Sequence, residues 1–366
     1  MDNNDVKKME IEKNCFESKV NKNIEPMEEE IEIHQMNNKE LQQQNKKKEE
    51  INKSIESNGS ISTNNSNNSV SMDKIIKDLD NFNNENEDLL TIFKIDKVDK
   101  KQQKYKHLFT EEFSDEMYTN LILDEKNAKL KINKNYIKQQ SDINAQMRAI
   151  LVDWIIEVHN QFHFKRKTLF QTILLIDLYL SLRLIQKPRL QLLGIACLLI
   201  SVKANEVYYP RLEDFINITD NAYTKKELLN MEILVLKTLN FDFLFPTSEE
   251  FYSILSKNYH FNKVQHHLGE YFMDSSLIDY NMLKYKASTI AIACTYIVMK
   301  YYNINGYKDL YLCKIISGES TQKNIKECAR DLCYLIKNLS KTSLTSTKIK
   351  YSSEEYDNVA TLCQEK

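Results

Sequence analysis

A helix that is apolar on two faces cannot leave both of them to water, and residues 147–162 spell such a helix. Met147, Ile150, Leu151, Trp154, Ile155 and Val158 follow the i, i+3, i+4, i+7 spacing of one stripe, while Ala149, Val152 and Ile156 make a second. Trp154 is the only Trp in the chain. A helix of this kind is either enclosed at a domain centre or keeps one side for a partner.

The rest of the sequence agrees with a helical protein. Five Gly and four Pro in 366 residues are too few for a loop-rich β protein or for a nucleotide fold built on Gly-rich turns. A formal charge of −2 supplies no overall attraction for nucleic acid or an anionic membrane, so protein partners are expected, with no nucleic acid and no membrane. The seven Cys show no C-x-x-C spacing, and Cys197 and Cys294 sit in apolar runs, which reads as a reduced chain inside the cell. No secretory signal is recognised at Met1, and the longest apolar run, Leu192 to Val202, is far short of the ~20 residues of a bilayer span, so a soluble protein is expected.

Composition divides the chain. Residues 1–104 are rich in Asn, Lys, Glu and Gln with scattered apolar side chains, and are expected to be a disordered extension. Within it Ile76, Leu79, Phe82, Leu89 and Leu90 allow a transient helix over 75–95. Residues 105–145 form an N-terminal helix and linker, the helix at Glu111 to Asp124 carrying Phe113, Met117, Leu121 and Leu123. Residues 146–245 read as five helices, at about 147–162, 168–183, 189–205, 211–218 and 224–239. Capping boxes are expected at Thr168 with Gln171, Thr224 with Glu227 and Thr247 with Glu250. A second series of five covers 246–340, at about 247–259, 263–278, 283–302, 307–316 and 321–340. The third helix of each series is the most apolar and is rich in small residues, as a central helix must be. The fold class is therefore all-α, two tandem five-helix units behind an N-terminal helix, with 341–366 expected to be a mobile tail.

Little in the chain points to catalysis. It has no phosphate-binding Gly loop and no nucleophile elbow. His159 and His163 stand at i, i+4 like a zinc-protease helix, but Asn160 occupies the general-base position, so both are read as a surface face and no metal or cofactor is expected. Arg148 and Asp177 lie inside apolar helices and are expected to pair, since a buried charge persists only when paired. Lys203 closes the central helix and Glu232 sits between Met231 and Ile233; by spacing alone they are a helix-end cation and a solvated acid.

These residues resemble a known family. Met147 to Trp154, Leu190-Gln191-Leu192, Lys203 with Glu206 and Tyr208, Ile218-Thr219-Asp220, Tyr223 to Lys226 and Met231-Glu232 follow the order and spacing of the cyclins, most closely the mitotic A and B types. The resemblance covers roughly residues 110–340 and includes all five positions most typical of the cyclin box: Arg148, Asp177, Leu192, Lys203 and Glu232. It implies tandem cyclin boxes and a non-catalytic subunit that binds and activates a cyclin-dependent Ser/Thr kinase in cell-cycle progression, in nucleus and cytoplasm. It further implies that Lys203, Glu232, Glu206 and Phe113 contact the kinase, and that Arg148 and Asp177 tie the box together. Met147, Ile150, Leu151, Trp154, Leu190 and Gln191, with Glu157 and Asp220, are then expected to dock substrates or inhibitors bearing an Arg-x-Leu motif.

The chain departs from the mitotic pattern in places. Ala204, Asn205 and Glu206 replace the usual aromatic and two acids after the Lys, and Tyr209 replaces a Pro. No Arg precedes Arg148, so an Arg-x-x-Leu destruction box is missing, as is a Lys-Glu-Asn. The alternatives are a cyclin-box transcription factor, which calls for a zinc ribbon or a basic face, and a docking scaffold that acts without a kinase.

Overall fold

In this computed structural model, residues 71–81, 111–304, 319–339 and 341–363 are described. The expected helix at 307–316 and most of the N-terminal extension lie outside them. Among the described residues every regular element is a helix: α1 Met72–Asn81, α2 Glu111–Asn127, α3 Ala145–Gln161, α4 Arg166–Leu182, α5 Leu190–Asn205, α6 Leu212–Asn217, α7 Lys225–Thr238, α8 Ser248–Asn258, α9 Lys263–Ile278, α10 Ala287–Tyr301, α11 Glu319–Leu339, α12 Ser346–Tyr351 and α13 Val359–Leu362.

The two most apolar helices are central, as their composition predicts. In the first unit, α3 to α7, helix α5 is buried from Leu192 to Val202 and packs against α3, α4 and α7. Gly194 permits this approach, because a Cβ there would stand 2.8 Å from Leu151 Cδ1 on α3. In the second unit α10 is enclosed by α8, α9 and α11. Here Gly269 of α9 leaves room for the ring of Tyr252 on α8; a Cβ would meet its hydroxyl at 1.8 Å.

Caps set the helix phases, though not all where expected. Glu227 and Glu250 reach back to the Thr224 and Thr247 amides at 2.8 and 3.0 Å, forming the two capping boxes as read. Asn144 caps α3 and Asn262 caps α9 through the amides of Met147 and Gln265, both at 2.9 Å. Thr168 is not a cap: it lies in the first turn of α4, buried. Glu206, arriving from the end of α5, takes over by accepting from the Lys165 amide at 2.8 Å and the Thr168 hydroxyl at 2.5 Å. Gln171 is engaged elsewhere, by the Asn205 side chain and the Phe243 carbonyl.

Two segments expected to lack structure are folded. Helix α1, inside the extension, buries Met72, Ile75, Ile76 and Leu79 and packs on α10 and α11. The tail forms α12 and α13, with Thr347, Lys350, Tyr351, Val359 and Ala360 buried and α12 lying against α3 and α9. Helix α2 also serves the second unit. Tyr118 meets Phe251 edge-on at 5.3 Å, and the Glu125 carboxylate caps α10 by accepting from the Ser288 amide at 3.0 Å and its hydroxyl at 2.7 Å.

Two buried charge clusters join the units. Arg148 grips Asp177 with two bonds of 2.7 Å, and its remaining nitrogen donates to the carbonyls of Leu277 and Ile278 at 2.9 and 3.3 Å. The Tyr136 hydroxyl, from the linker, donates to Asp177 at 2.8 Å. One guanidinium thus holds together the first unit, the end of α9 and, through Asp177, the linker. In the second cluster Arg166 meets Glu270 at 2.9 Å and Asp274 at 2.8 Å, while Lys350 and Tyr351 of the tail reach the other Asp274 oxygen at 3.0 and 2.8 Å.

Truncating Arg148 leaves Asp177 charged and buried, so Arg148→Ala is expected to cost ~3–5 kcal/mol in urea unfolding. Arg148→Ala with Asp177→Ala should then cost less than the sum of the two single changes. Burial alone would raise the Asp274 carboxyl, but Arg166, Lys350 and the Tyr351 hydroxyl bring it down to about 2. Its folded value lies below the ~3.9 of an unfolded Asp, so its contribution is complete above that pH and is lost as pH falls from about 4 towards 2. Asp274→Asn should lower the urea midpoint at neutral pH and flatten its decline across that window.

Candidate functional site

The first unit carries two surfaces with distinct chemistry. On one, Lys203 at the end of α5 meets Glu232 of α7, Nζ to Oε1 at 2.6 Å. The pair is lopsided, the Lys203 side chain being 39% exposed and that of Glu232 only 11%. Large apolar side chains are exposed on the same elements: Val207 at 74% and Tyr208 at 76% just after α5, and Ile233 and Leu234, which follow Glu232 on α7. Glu206 does not belong to this surface, since its carboxylate is committed to the start of α4. Phe113 lies in the first turn of α2, and its side chain is outside the described residues.

On the other surface the α3 stripe splits in an order different from that expected. Ile150 is 54% exposed, and Met147 and Trp154 are half-buried against the core. Leu151 and Leu190 turn inward and are buried, which corrects their place in a docking patch. The reason is the Gly194 contact, which draws α5 onto α3 so closely that Leu151 becomes the filling between them. Gln191 is half-buried, whereas Glu157 and Asp220 are exposed, Asp220 with a left-handed φ of 52° in the turn after α6.

The histidines also differ from their reading. His159 is buried, with Nε2 3.1 Å from the Lys165 carbonyl, and burial together with the nearby Lys350 lowers its pKa to about 4. It is therefore a neutral core residue at the α3–α4 corner, while His163 alone is exposed, at a left-handed φ of 53°. Among the described residues no group of three or more His, Cys, Asp or Glu is placed to hold a metal ion, and no helix is long and apolar enough to cross a membrane.

Both surfaces lie on a pair of helical units whose sequences match known domains. Residues 116–244 match the family "Cyclin, N-terminal domain" and residues 246–365 match "Cyclin, C-terminal domain". The chain belongs to the cyclin family. The second cyclin domain runs to 365, so the tail helices α12 and α13 are part of it, and the first begins inside α2. Curated relatives are mitotic cyclins of the B type. A G2/mitotic-specific cyclin-B of Spisula solidissima is 34% identical over 67% of this cyclin and 57% of its own length. A G2/mitotic-specific cyclin-B2 of Gallus gallus is 36% identical over 61% and 55%, and a Cyclin-B2-2 of Arabidopsis thaliana 34% over 62% and 52%. The matches thus span a little over half the length of these relatives. A viral cyclin from herpesvirus saimiri shares the fold at a TM-score of 0.52 and 20% identity, covering 59% of this chain and 96% of its own.

Proposed function

We propose that this cyclin is the non-catalytic regulatory subunit of a cyclin-dependent Ser/Thr kinase acting in mitosis. The observation that carries this reading is the Lys203–Glu232 pair, a half-exposed cation at the end of α5 held against an anion of α7. A cation at a helix end beside an anion on the next helix can satisfy a carbonyl and an amide of a docked helix, while Val207, Tyr208 and Ile233 bury against its sides. Such docking favours one placement of a mobile kinase helix over others, which is activation by population shift. Mitotic timing rests on the B-type relatives.

We further propose that Met147, Ile150 and Trp154, with Glu157 and Asp220 nearby, receive substrates or inhibitors bearing Arg-x-Leu. A Trp edge and an exposed Ile offer apolar area to the Leu, and the two exposed acids offer charge to the Arg.

Lys203→Ala with Glu232→Ala is expected to abolish co-purification of a cyclin-dependent kinase from cell extract while the thermal unfolding midpoint stays within a few degrees. Unchanged kinase recovery would refute the first proposal. Met147→Ala with Trp154→Ala should weaken phosphorylation of Arg-x-Leu substrates about tenfold and leave the recovered kinase's rate on a short peptide lacking that motif unaltered. Equal loss on both peptides would assign the pair to the core instead.

A further inference from the structure

Helix α1 is ten residues long, below the ~12–15 at which an isolated helix holds in water, so its order comes from what it touches. It touches only one place among the described residues with which it packs closely, the face of the second domain formed by α10 and α11. Met72, Ile75, Ile76 and Leu79, at i, i+3, i+4 and i+7, enter the core there. An acid marks each end of the stripe. Asp73 meets Lys337 at 2.9 Å, and Asp80 accepts from the Tyr334 hydroxyl at 2.8 Å. Both partners lie on α11, three residues apart, whereas Asp73 and Asp80 are seven apart on α1; the polar contacts therefore fix direction as well as position. Ser71 begins the helix, its carbonyl accepting from the amides of Lys74 and Ile75 at 3.1 Å each.

We propose that the α10–α11 face is a docking groove for short amphipathic helices with an acid at each end, and that α1 is the ligand carried by the chain itself. The apolar stripe supplies the binding, and Lys337 and Tyr334 supply the register. The exposed pairs contribute orientation more than strength, since Asp73 and Lys337 are both more than half exposed. Because α1 is covalently joined to its groove, an outside helix of the same pattern has to compete with a ligand at high effective concentration. The groove is distinct from both surfaces of the first domain, so the proposal stands apart from the kinase and Arg-x-Leu readings.

The test uses the full chain. Ile75→Glu with Leu79→Glu should empty the groove, and a fluorescent peptide of residues 69–81 should then bind this variant at least ten times more tightly than the wild-type chain. Adding Lys337→Glu should weaken that binding, and a peptide carrying Asp73→Lys should restore it. In wild-type protein the amides of 73–81 should exchange hydrogen slowly, and the double variant should lose that protection. Should the two Glu substitutions disturb the domain itself, Asp73→Lys with Asp80→Lys, which alter only exposed contacts, should still speed exchange over 73–81 several-fold. Equal peptide binding by wild type and variant, binding indifferent to Lys337, or fast exchange of 73–81 in the wild type would each overturn the proposal.

Discussion

The arrangement of this cyclin depends on a guanidinium taken out of water. Arg148 is 1% exposed, and all three of its guanidinium nitrogens donate: two bonds go to Asp177 and two to main-chain carbonyls that end α9. Desolvating such a pair is costly, and its net contribution to stability over a well-packed apolar substitute is small or negative. What it secures is geometry. A carbonyl pair at the end of α9 accepts from the same side chain that crosses α3 to α4, so the two domains cannot slide without leaving buried N–H and carbonyl groups unpaired. Tyr136 adds the linker to the same carboxylate, and Gln140 pins that linker further by donating to the Leu180 and Arg183 carbonyls at 2.8 Å. The cluster around Asp274 repeats the device on the other side of the interface, with the tail supplying two of its members.

A fixed frame explains how the first domain can leave two surfaces open. Helix α3 is anchored by Arg148 inward and by Leu151 against Gly194, so Met147, Ile150 and Trp154 are held at the surface by packing beneath them. The Lys203–Glu232 pair plays a comparable part on the other surface. A pair this exposed on its Lys side is worth little to the fold, ~0–1 kcal/mol, so exchanging it for contacts with a partner costs little. It nevertheless limits the freedom of both side chains, which reduces the ordering that any further contact with them requires.

The first domain was legible in sequence because its helices carry apolar stripes and Thr224 opens α7 with a capping box. The Arg148–Asp177 pair was legible for the same reason, since charges inside apolar helices must find one another. What stayed hidden was set by contacts distant in sequence. Glu206 caps α4 from about forty residues away, and no local pattern distinguishes it from an acid that faces a partner. Leu151 and Ile150 both look like stripe residues, and only the approach of Gly194 decides which one is enclosed. His159 has the spacing of a surface histidine, yet the chain turns at Phe162 to Phe164 and closes over it. The tail was missed because its helices are too short to show a stripe: Leu344, Tyr351, Val359 and Ala360 enter the core singly, and Lys350 and Tyr351 are fixed by Asp274, which is distant in sequence. Helix α1 was read only as a transient helix, because a single ten-residue stripe inside an Asn-rich region is too little to predict order without its groove.

These omissions share a location. Helix α1 comes from the extension and settles on α10 and α11, helix α2 caps α10 and packs on α8, and the tail helices return to α9, with α12 also lying against α3. Segments that lie far apart in sequence converge on the second domain, whose own helices would otherwise present several apolar faces to water. The first domain receives α12 on α3 and the linker on α4, and among the described residues Ile150, Val207, Tyr208 and Ile233 stay exposed. An uncovered apolar side chain next to a half-exposed ion pair is costly to keep unless something else buries it. The apolar side chains that stay exposed among the described residues of the first domain therefore argue, from packing alone, that partners of this cyclin are to be sought first on the α5–α7 and α3 surfaces, whereas a partner of the α10–α11 face has to displace α1.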